Sequence, residues 1–284
     1  MTGLCAVIHL PPLPGSYRAL KSGHSAHELL RAAGEWAVSE AHQFADLGFD
    51  SIVLENFGDV PFARGAVEPA TVSAMAVLAG AVREGIKIPV GINVLRNDAR
   101  SAMAIAAVTG CDFIRVNVLS GVAATDQGWI EGDAPALLRD RELLGPKKPS
   151  IQILADVWVK HARQYSSDTL GQAIEETALR AGADGVIVTG SSTGRLAPLT
   201  RIHEALETCD EFSIPLILGS GVSAENLAEL PQGRFAGIIV GSDLRKDGRA
   251  GAPIDSKRAR RWLLAAKSHG LIQKQAKRGA AKKH

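Results

Sequence analysis

Cysteine is scarce: Cys5, Cys111 and Cys209 are the three in the chain, far apart and in no CxxC or CxxH spacing. That argues against a disulfide framework and a structural zinc site, and predicts small, reduced thiols in a cytosol-like compartment. An excess of one charge is also missing. The formal net charge is +2, which obliges no face to be basic, so nucleic acid is not an expected partner. No stretch approaches the ~20 consecutive apolar residues of a membrane span. Residues 1–10 lack the charged start and long apolar core of a secretory signal. A cytoplasmic protein with no membrane partner is the expectation.

What the chain does have, in 284 residues of which 46% are hydrophobic and 22% charged, is enough apolar material for a sizeable core. Short apolar runs recur at 5–10, 51–55, 88–95, 112–118, 151–157, 185–190, 214–219 and 237–241. Between them lie segments with helical spacing, among them 26–47, 70–82, 99–108, 169–181 and 258–266, many followed by the glycine that helix ends favour. Eight strands alternating with helices over about 250 residues predict an α/β fold, a single (β/α)8 TIM barrel over 1–270. A doubly wound sheet would more often carry GxGxxG after its first strand, and none follows His9. Residues 271–284, rich in Lys and Arg, read as a basic, disordered tail.

The run SIVLENFGDVPF (51–62) raises the functional question, because three apolar residues give way at once to Glu55, Asn56 and Asp59. In a barrel strand alternate residues face the lumen and the helix layer. Placing Glu55 inward sends Ile52 and Leu54 outward, as a buried strand requires. The same parity sends His9, Asn93, Arg115, Asn117, Gln152, Asp156 and Thr189 into the lumen, while Ile8, Val90, Ile92, Ile114, Val116, Ile153, Val186 and Val188 stay on the helix side. Polar residues thus gather at the C-terminal tips of the first six strands, the face where this fold carries its chemistry. A single such residue could simply cap a barrel layer; six strands behaving alike point to a site. Arg115 lies about one layer deeper and needs an acid, Glu55 or Asp156. The acid committed to Arg115 would be a poor base, leaving the other for catalysis.

The last two strands end differently, in Gly219-Ser220-Gly221 and Gly241-Ser242. Amides at such turns bind anions, and phosphate sites after the seventh and eighth strands recur on this fold. The predicted phosphate donors are the amides of Ser220, Gly221, Gly241 and Ser242, with Ser223 as the next helix cap. Asp243 would repel phosphate if it faced the site, so it must turn outward, pair with Arg245 or Lys246, or belong to a different polar ligand. Loops at the same face add Arg96 beside Asn97 and Asp98, a glycine-bounded lid loop at 121–128 with Asp126, and Lys160 with His161. The catalytic candidates are Asp156, Glu55, Lys160, His161 and Asp126. The substrate-binding candidates are His9, Asn93, Arg96, Arg115, Asn117 and Thr189. Carboxylate and imidazole together suit Mg, Mn or Zn, so His9, Glu55 and Asp156 form a candidate metal trio, although their spacing matches no metal motif.

The stretches HLPPLPG (9–15), ENFGDVPF (55–62), GINVLRND (91–98), RVNVLSGVAATDQGWIEG (115–132), ADVWVKHA (155–162), GSGVS (219–223) and IVGSDLRKDG (239–248) resemble the BtpA/SgcQ family over about 5–266. The resemblance implies a barrel of the ribulose-phosphate-binding type. The family takes its name from a cyanobacterial member implicated in photosystem I biogenesis, and SgcQ-like members are associated with carbohydrate-related genes. Two function classes follow. One is an enzyme acting on a phosphorylated sugar or nucleoside-like molecule by lyase, isomerase or glycosidic-bond chemistry, with a Schiff base on Lys160 as a minor route. The other is a non-catalytic assembly or stability factor with a protein partner. A homo-oligomer fits the fold, but no helix face singles out an interface.

Overall fold

The computed structural model describes residues 1–145, 150–165, 169–190 and 196–270; the basic segment 271–284 lies outside them. The strands are β1 Gly3–His9, β2 Ser51–Glu55, β3 Val90–Asn93, β4 Phe113–Val116, β5 Val122–Thr125, β6 Gly128–Glu131, β7 Gln152–Val157, β8 Ala162–Gln164, β9 Gly185–Thr189, β10 Leu216–Gly219 and β11 Gly237–Val240. The helices are α1 Tyr17–Lys21, α2 Ala26–Leu47, α3 Pro69–Gly85, α4 Ala99–Thr109, α5 Ala134–Leu144, α6 Leu170–Glu175, α7 Leu199–Glu211 and α8 Ser256–Ser268. Eight of the strands close into a parallel barrel in the order β1-β11-β10-β9-β7-β4-β3-β2, as the spacing predicts.

The alternation rule holds around the barrel. Cys5, Val7, Val53, Phe113, Leu154, Ile187, Ile217 and Ile239 form the lumen core; Ile8, Ile52, Leu54, Val90, Ile92, Ile114, Ile153 and Val186 belong to the larger layer shared with the helices. Phe113 fills the lumen because Gly91 faces it: a Cβ there would stand 2.1 Å from the ring. Gln152 keeps lumen parity but sits exposed at the bottom rim, bonded to the Met1 amine, so it is not one of the mouth residues. All three cysteines are buried free thiols. Burial pushes Cys5 and Cys209 up to about 12 and Cys111 to about 11, which leaves no reactive thiolate.

Local sequence sets the helix ends. Ser25 and Glu28 make a reciprocal capping box at the start of α2, which ends at left-handed Gly48. The predicted helix 169–181 is α6 followed by a π-helical turn at Glu176–Arg180. After β10, where the barrel pattern calls for a helix, the chain makes only a 3₁₀ turn at Asn226–Glu229.

A repeated device closes the bottom of the barrel. Gly48-Phe49-Asp50, Gly110-Cys111-Asp112 and Gly182-Ala183-Asp184 each pass through a left-handed glycine and end on an aspartate just before a strand. The carboxylates accept the amides of Leu4 at 2.7 Å, Val90 at 2.9 Å and Ile153 at 2.7 Å respectively. Each ties the start of the preceding barrel strand, so these acids serve the stability face.

The sequence does not reveal the remaining three strands. β5 and β6 form a hairpin, and β8 adds to it antiparallel. The predicted lid loop at 121–128 is therefore a small sheet over the mouth, held by Val118, Ala123, Ile130 and Val159.

Candidate functional site

At the C-terminal end of the barrel a cavity of about 190 Å³ is lined by His9, Glu55, Arg115 and Lys160 on one side and by Ser220–Ser223 and Gly241–Asp243 on the other. Barrel register explains the grouping. Glu55 pairs with His9 across β1–β2 and with Asn93 across β2–β3, so three polar side chains leave adjacent strands at one height.

The contest for Arg115 is decided by strand adjacency. β4 lies next to β7. Arg115 Nε and Nη2 donate to Asp156 Oδ1 and Oδ2, both at 3.0 Å, and Asn117 Nδ2 donates to Oδ2 at 2.8 Å. The two side chains are 4% and 0% exposed, so this is a sealed, bidentate pair. Glu55 has a lighter engagement, with Asn93 Nδ2 donating to Oε2 at 2.7 Å. Of these two acids, Glu55 is the one that lines the cavity. Its neighbours in the motif do something else. Asn56 bonds both the amide and the carbonyl of Leu95, and Asp59 accepts from Asn56 and from the Leu13 amide at 2.7 Å. Those two knit the loops after β1, β2 and β3, and Gly58 lets them meet: a Cβ there would stand 2.4 Å from Pro11.

His9 packs on Phe57 with centroids 4.6 Å apart, and its Nδ1 accepts from the Gly251 amide at 3.4 Å. That fixes Nε2–H as the donor of a neutral ring. Burial, with Arg245 and Lys160 nearby, holds the His9 pKa well below its ordinary value. The unfolded chain therefore takes up a proton below about pH 6.5 that the folded ring refuses, and stability falls as pH drops through that window. In His9→Gln the loss of stability between pH 7 and pH 5, measured by urea titration, is expected to be shallower than in the parent.

Lys160 leaves the turn after β7 half-buried, and burial, then Arg115, lowers its pKa. Arg96 lies beside it, buried, its Nη2 donating to the Lys160 carbonyl at 2.7 Å while Nε has no partner among the described residues. Asn97 and Asp98 do not join the site: Asn97 brackets Val118, and Asp98 caps α4 and accepts from Val67. Asp126 sits exposed at the hairpin turn, bonded to Gln127 at 2.6 Å, and His161 is exposed next to Lys160. Both lie at the rim of the mouth. Thr189 Oγ1 and Asn117 Oδ1 are buried in the upper lumen without partners among the described residues.

On the opposite side Ser220 (φ 71°) and Gly221 (φ 81°) take successive left-handed conformations. Gly241 packs close to His9: a Cβ there would stand 3.1 Å from the ring, which would have to shift by a few tenths of an ångström. Ser223 and Asn226 cap each other, with Asn226 N donating to Ser223 Oγ at 3.2 Å and Ser223 N to Asn226 Oδ1 at 2.8 Å. Asp243 lines the cavity, and its carboxylate is engaged by neither expected partner, taking the Ala224 amide at 3.4 Å as one donor. It also accepts from Arg258 Nη1 at 2.9 Å and from Trp262 Nε1 at 2.7 Å. Arg245 is instead fully buried, paired with Glu40 and bonded to the Val7 carbonyl.

The metal trio does not form. Among the described residues no group of three or more His, Cys, Asp or Glu side chains is placed to hold an ion. Asp156 is spent on Arg115 and Asn117, and His9 Nδ1 on Gly251.

A family model described as the BtpA family matches residues 1–268. The chain belongs to the BtpA family. Photosystem I biogenesis protein BtpA of Synechocystis sp. is 43% identical over 271 residues, covering 95% of this chain and 90% of that protein. An uncharacterized protein of Methanocaldococcus jannaschii is 42% identical over 263 residues, covering 93% and 94%. Among solved structures, KGPDC from Streptococcus mutans superposes with a TM-score of 0.57 at 14% identity, over 94% of this chain and 98% of that one. Phosphoribosyl anthranilate isomerase from Thermus thermophilus gives 0.54 at 11% identity, over 94% and 98%. At such identities the likeness shows the barrel, and no helix of this BtpA-family chain is long and apolar enough among the described residues to cross a membrane.

Proposed function

We propose that this BtpA-family protein is an enzyme acting on a phosphorylated sugar or nucleoside-like small molecule. The phosphate seats on the amides of Ser220, Gly221, Gly241 and Ser242, and Glu55 exchanges a proton with the substrate. Asp156 holds Arg115 in place instead of acting as acid or base. His9, Asn93, Arg96, Asn117 and Thr189 offer hydrogen bonds to hydroxyl groups, and Asp126 and His161 close the rim. The chemistry open to this set is lyase, isomerase or glycosidic-bond chemistry.

The observation that carries the reading is one cavity with a cation-bearing wall of Arg115 and Lys160 around Glu55, facing two glycine turns beside which the Asp243 carboxylate is held by Arg258 and Trp262. Fold neighbours support it only by kind: the isomerase among them is named for a phosphoribosyl compound. The name of the Synechocystis relative supports the rival reading, an assembly factor. Against it, an assembly factor would have no evident use for a polar cavity at the barrel mouth lined by His9, Glu55, Arg115 and Lys160.

The test is thermal unfolding with D-ribose 5-phosphate, D-ribose and inorganic phosphate. A ligand at ~100 times its dissociation constant adds about 2.7 kcal/mol of stability, or about 5–11 °C at about 2–4 °C per kcal/mol. Stabilisation by phosphate-bearing compounds and not by D-ribose is expected. No shift across a panel of sugar phosphates and nucleotides would leave the assembly factor as the reading to pursue.

A further inference from the structure

Lys160 reaches the cavity from an unusual turn. Trp158 (φ 52°) and His161 (φ 58°) flank its segment in the left-handed conformation, which non-glycine residues hold only where the surroundings over-determine it. Three contacts do so here. The Arg201 guanidinium lies 5.3 Å over the Trp158 ring, Val159 is buried beneath the hairpin, and buried Arg96 grips the Lys160 carbonyl at 2.7 Å. The product of this arrangement is an amine placed beside Glu55 and Arg115 and across from the glycine turns. A strut for Glu55 alone would not need a strained turn, because an extended loop and a flexible lysine would serve.

We propose that Lys160 is a nucleophile of this cavity, condensing with the carbonyl carbon of a phosphorylated aldose or ketose to form an imine. The inference rests on the phosphate site proposed above and narrows its ligand to a phosphorylated carbonyl compound. The neutral amine attacks the carbonyl carbon, the C=O electron pair passes to oxygen, and Glu55 relays the first proton shed by nitrogen to that oxygen to give the carbinolamine. As the nitrogen lone pair expels the hydroxyl, Glu55 relays the second nitrogen proton to it, and it leaves as water. The sum is amine plus carbonyl to imine plus water, with no oxidant or reductant. Desolvation favours the neutral amine, Arg115 and then Arg96 push the same way, and Glu55 and Asp156 oppose them. Arg96 is a positioning residue in this scheme, acting through the Lys160 backbone.

Pyridoxal 5′-phosphate, a phosphorylated aldehyde whose imines borohydride reduces to stable secondary amines, tests the proposal on the intact protein. Peptide mapping is expected to find the first equivalent of label on Lys160, with labelling slowed by inorganic phosphate and by omission of the phosphate from the aldehyde. Lys160→Gln should lose that first equivalent while the surface lysines label as before. If inorganic phosphate raises the melting temperature but Lys160 labels no faster than surface lysines, the nucleophile is refuted and the phosphate site stands. If phosphate neither stabilises the protein nor slows labelling, both inferences fall together.

Discussion

Replacing Arg115 with methionine is expected to lower the melting temperature by about 6–20 °C, from a loss of about 3–5 kcal/mol at about 2–4 °C per kcal/mol. The cost comes from Asp156. Its carboxylate is fully buried and accepts three hydrogen bonds, two of them from Arg115. With the guanidinium gone, Asn117 alone would face a carboxylate removed from water. Replacing both partners, Arg115→Met with Asp156→Leu, is expected to recover most of the loss, since a buried pair exchanged for apolar groups of similar volume is often neutral. The coupling in a double-mutant cycle is the decisive measurement. Additive losses, with no recovery in the double variant, would mean that the two side chains are held in place by something other than their own pairing and that Asp156 is free for chemistry.

Much of this site can be read in the sequence because barrel strands are buried on both faces. Where both faces are apolar along a strand, a polar residue at its tip has few structural excuses, and parity then assigns Glu55, Asn93, Arg115, Asn117 and Asp156 to the lumen. Which acid Arg115 takes is also legible in principle. β4 lies between β3 and β7 in the barrel, so Asp156 is one strand away from Arg115 and Glu55 is two. The motif ENFGDVPF is harder, because Asn56 and Asp59 look as functional as Glu55 yet hold loops together. Parity ends where the strand ends, and backbone partners in a loop have no periodic signature.

Other differences between sequence and structure have similar causes. The hairpin β5–β6 has only a four-residue apolar cluster beneath it, and its third strand comes from a segment some thirty residues on. Sequence proximity pairs Asp243 with Arg245 or Lys246, whereas its side-chain partners lie on α8; a fold-level contact of that kind leaves no local pattern. The glycine-to-aspartate triplets at 48–50, 110–112 and 182–184 are the opposite case. They share a Gly-x-Asp spacing that Gly241-Ser242-Asp243 at the mouth also has, so it is their place just before a strand that sets them at the bottom rim, where each carboxylate ties a strand. An acid at the start of a strand and an acid at its end thus carry opposite meanings, and of these acids Glu55 and Asp156 stand at the ends.

Glu55→Gln is the substitution that separates chemistry from architecture. Glutamine keeps an oxygen where Oε2 accepts from Asn93, so the contact survives and stability is expected to change by less than about 1 kcal/mol. What it removes is the proton-accepting carboxylate in the cavity. Turnover of the sugar phosphate that stabilises the protein most is expected to fall about 10²–10⁴-fold, the usual share of a positioned acid or base, equivalent to about 3–5 kcal/mol of transition-state stabilisation. The thermal shift given by inorganic phosphate should remain, because the Ser220–Gly221 and Gly241–Ser242 turns lie on the other wall. Asp156→Asn gives the contrast: it keeps the shape, weakens the bond to Arg115, and should lose stability before it loses rate. A rate unchanged in Glu55→Gln, with stability reduced, would reverse the two roles and return Asp156 as the acid.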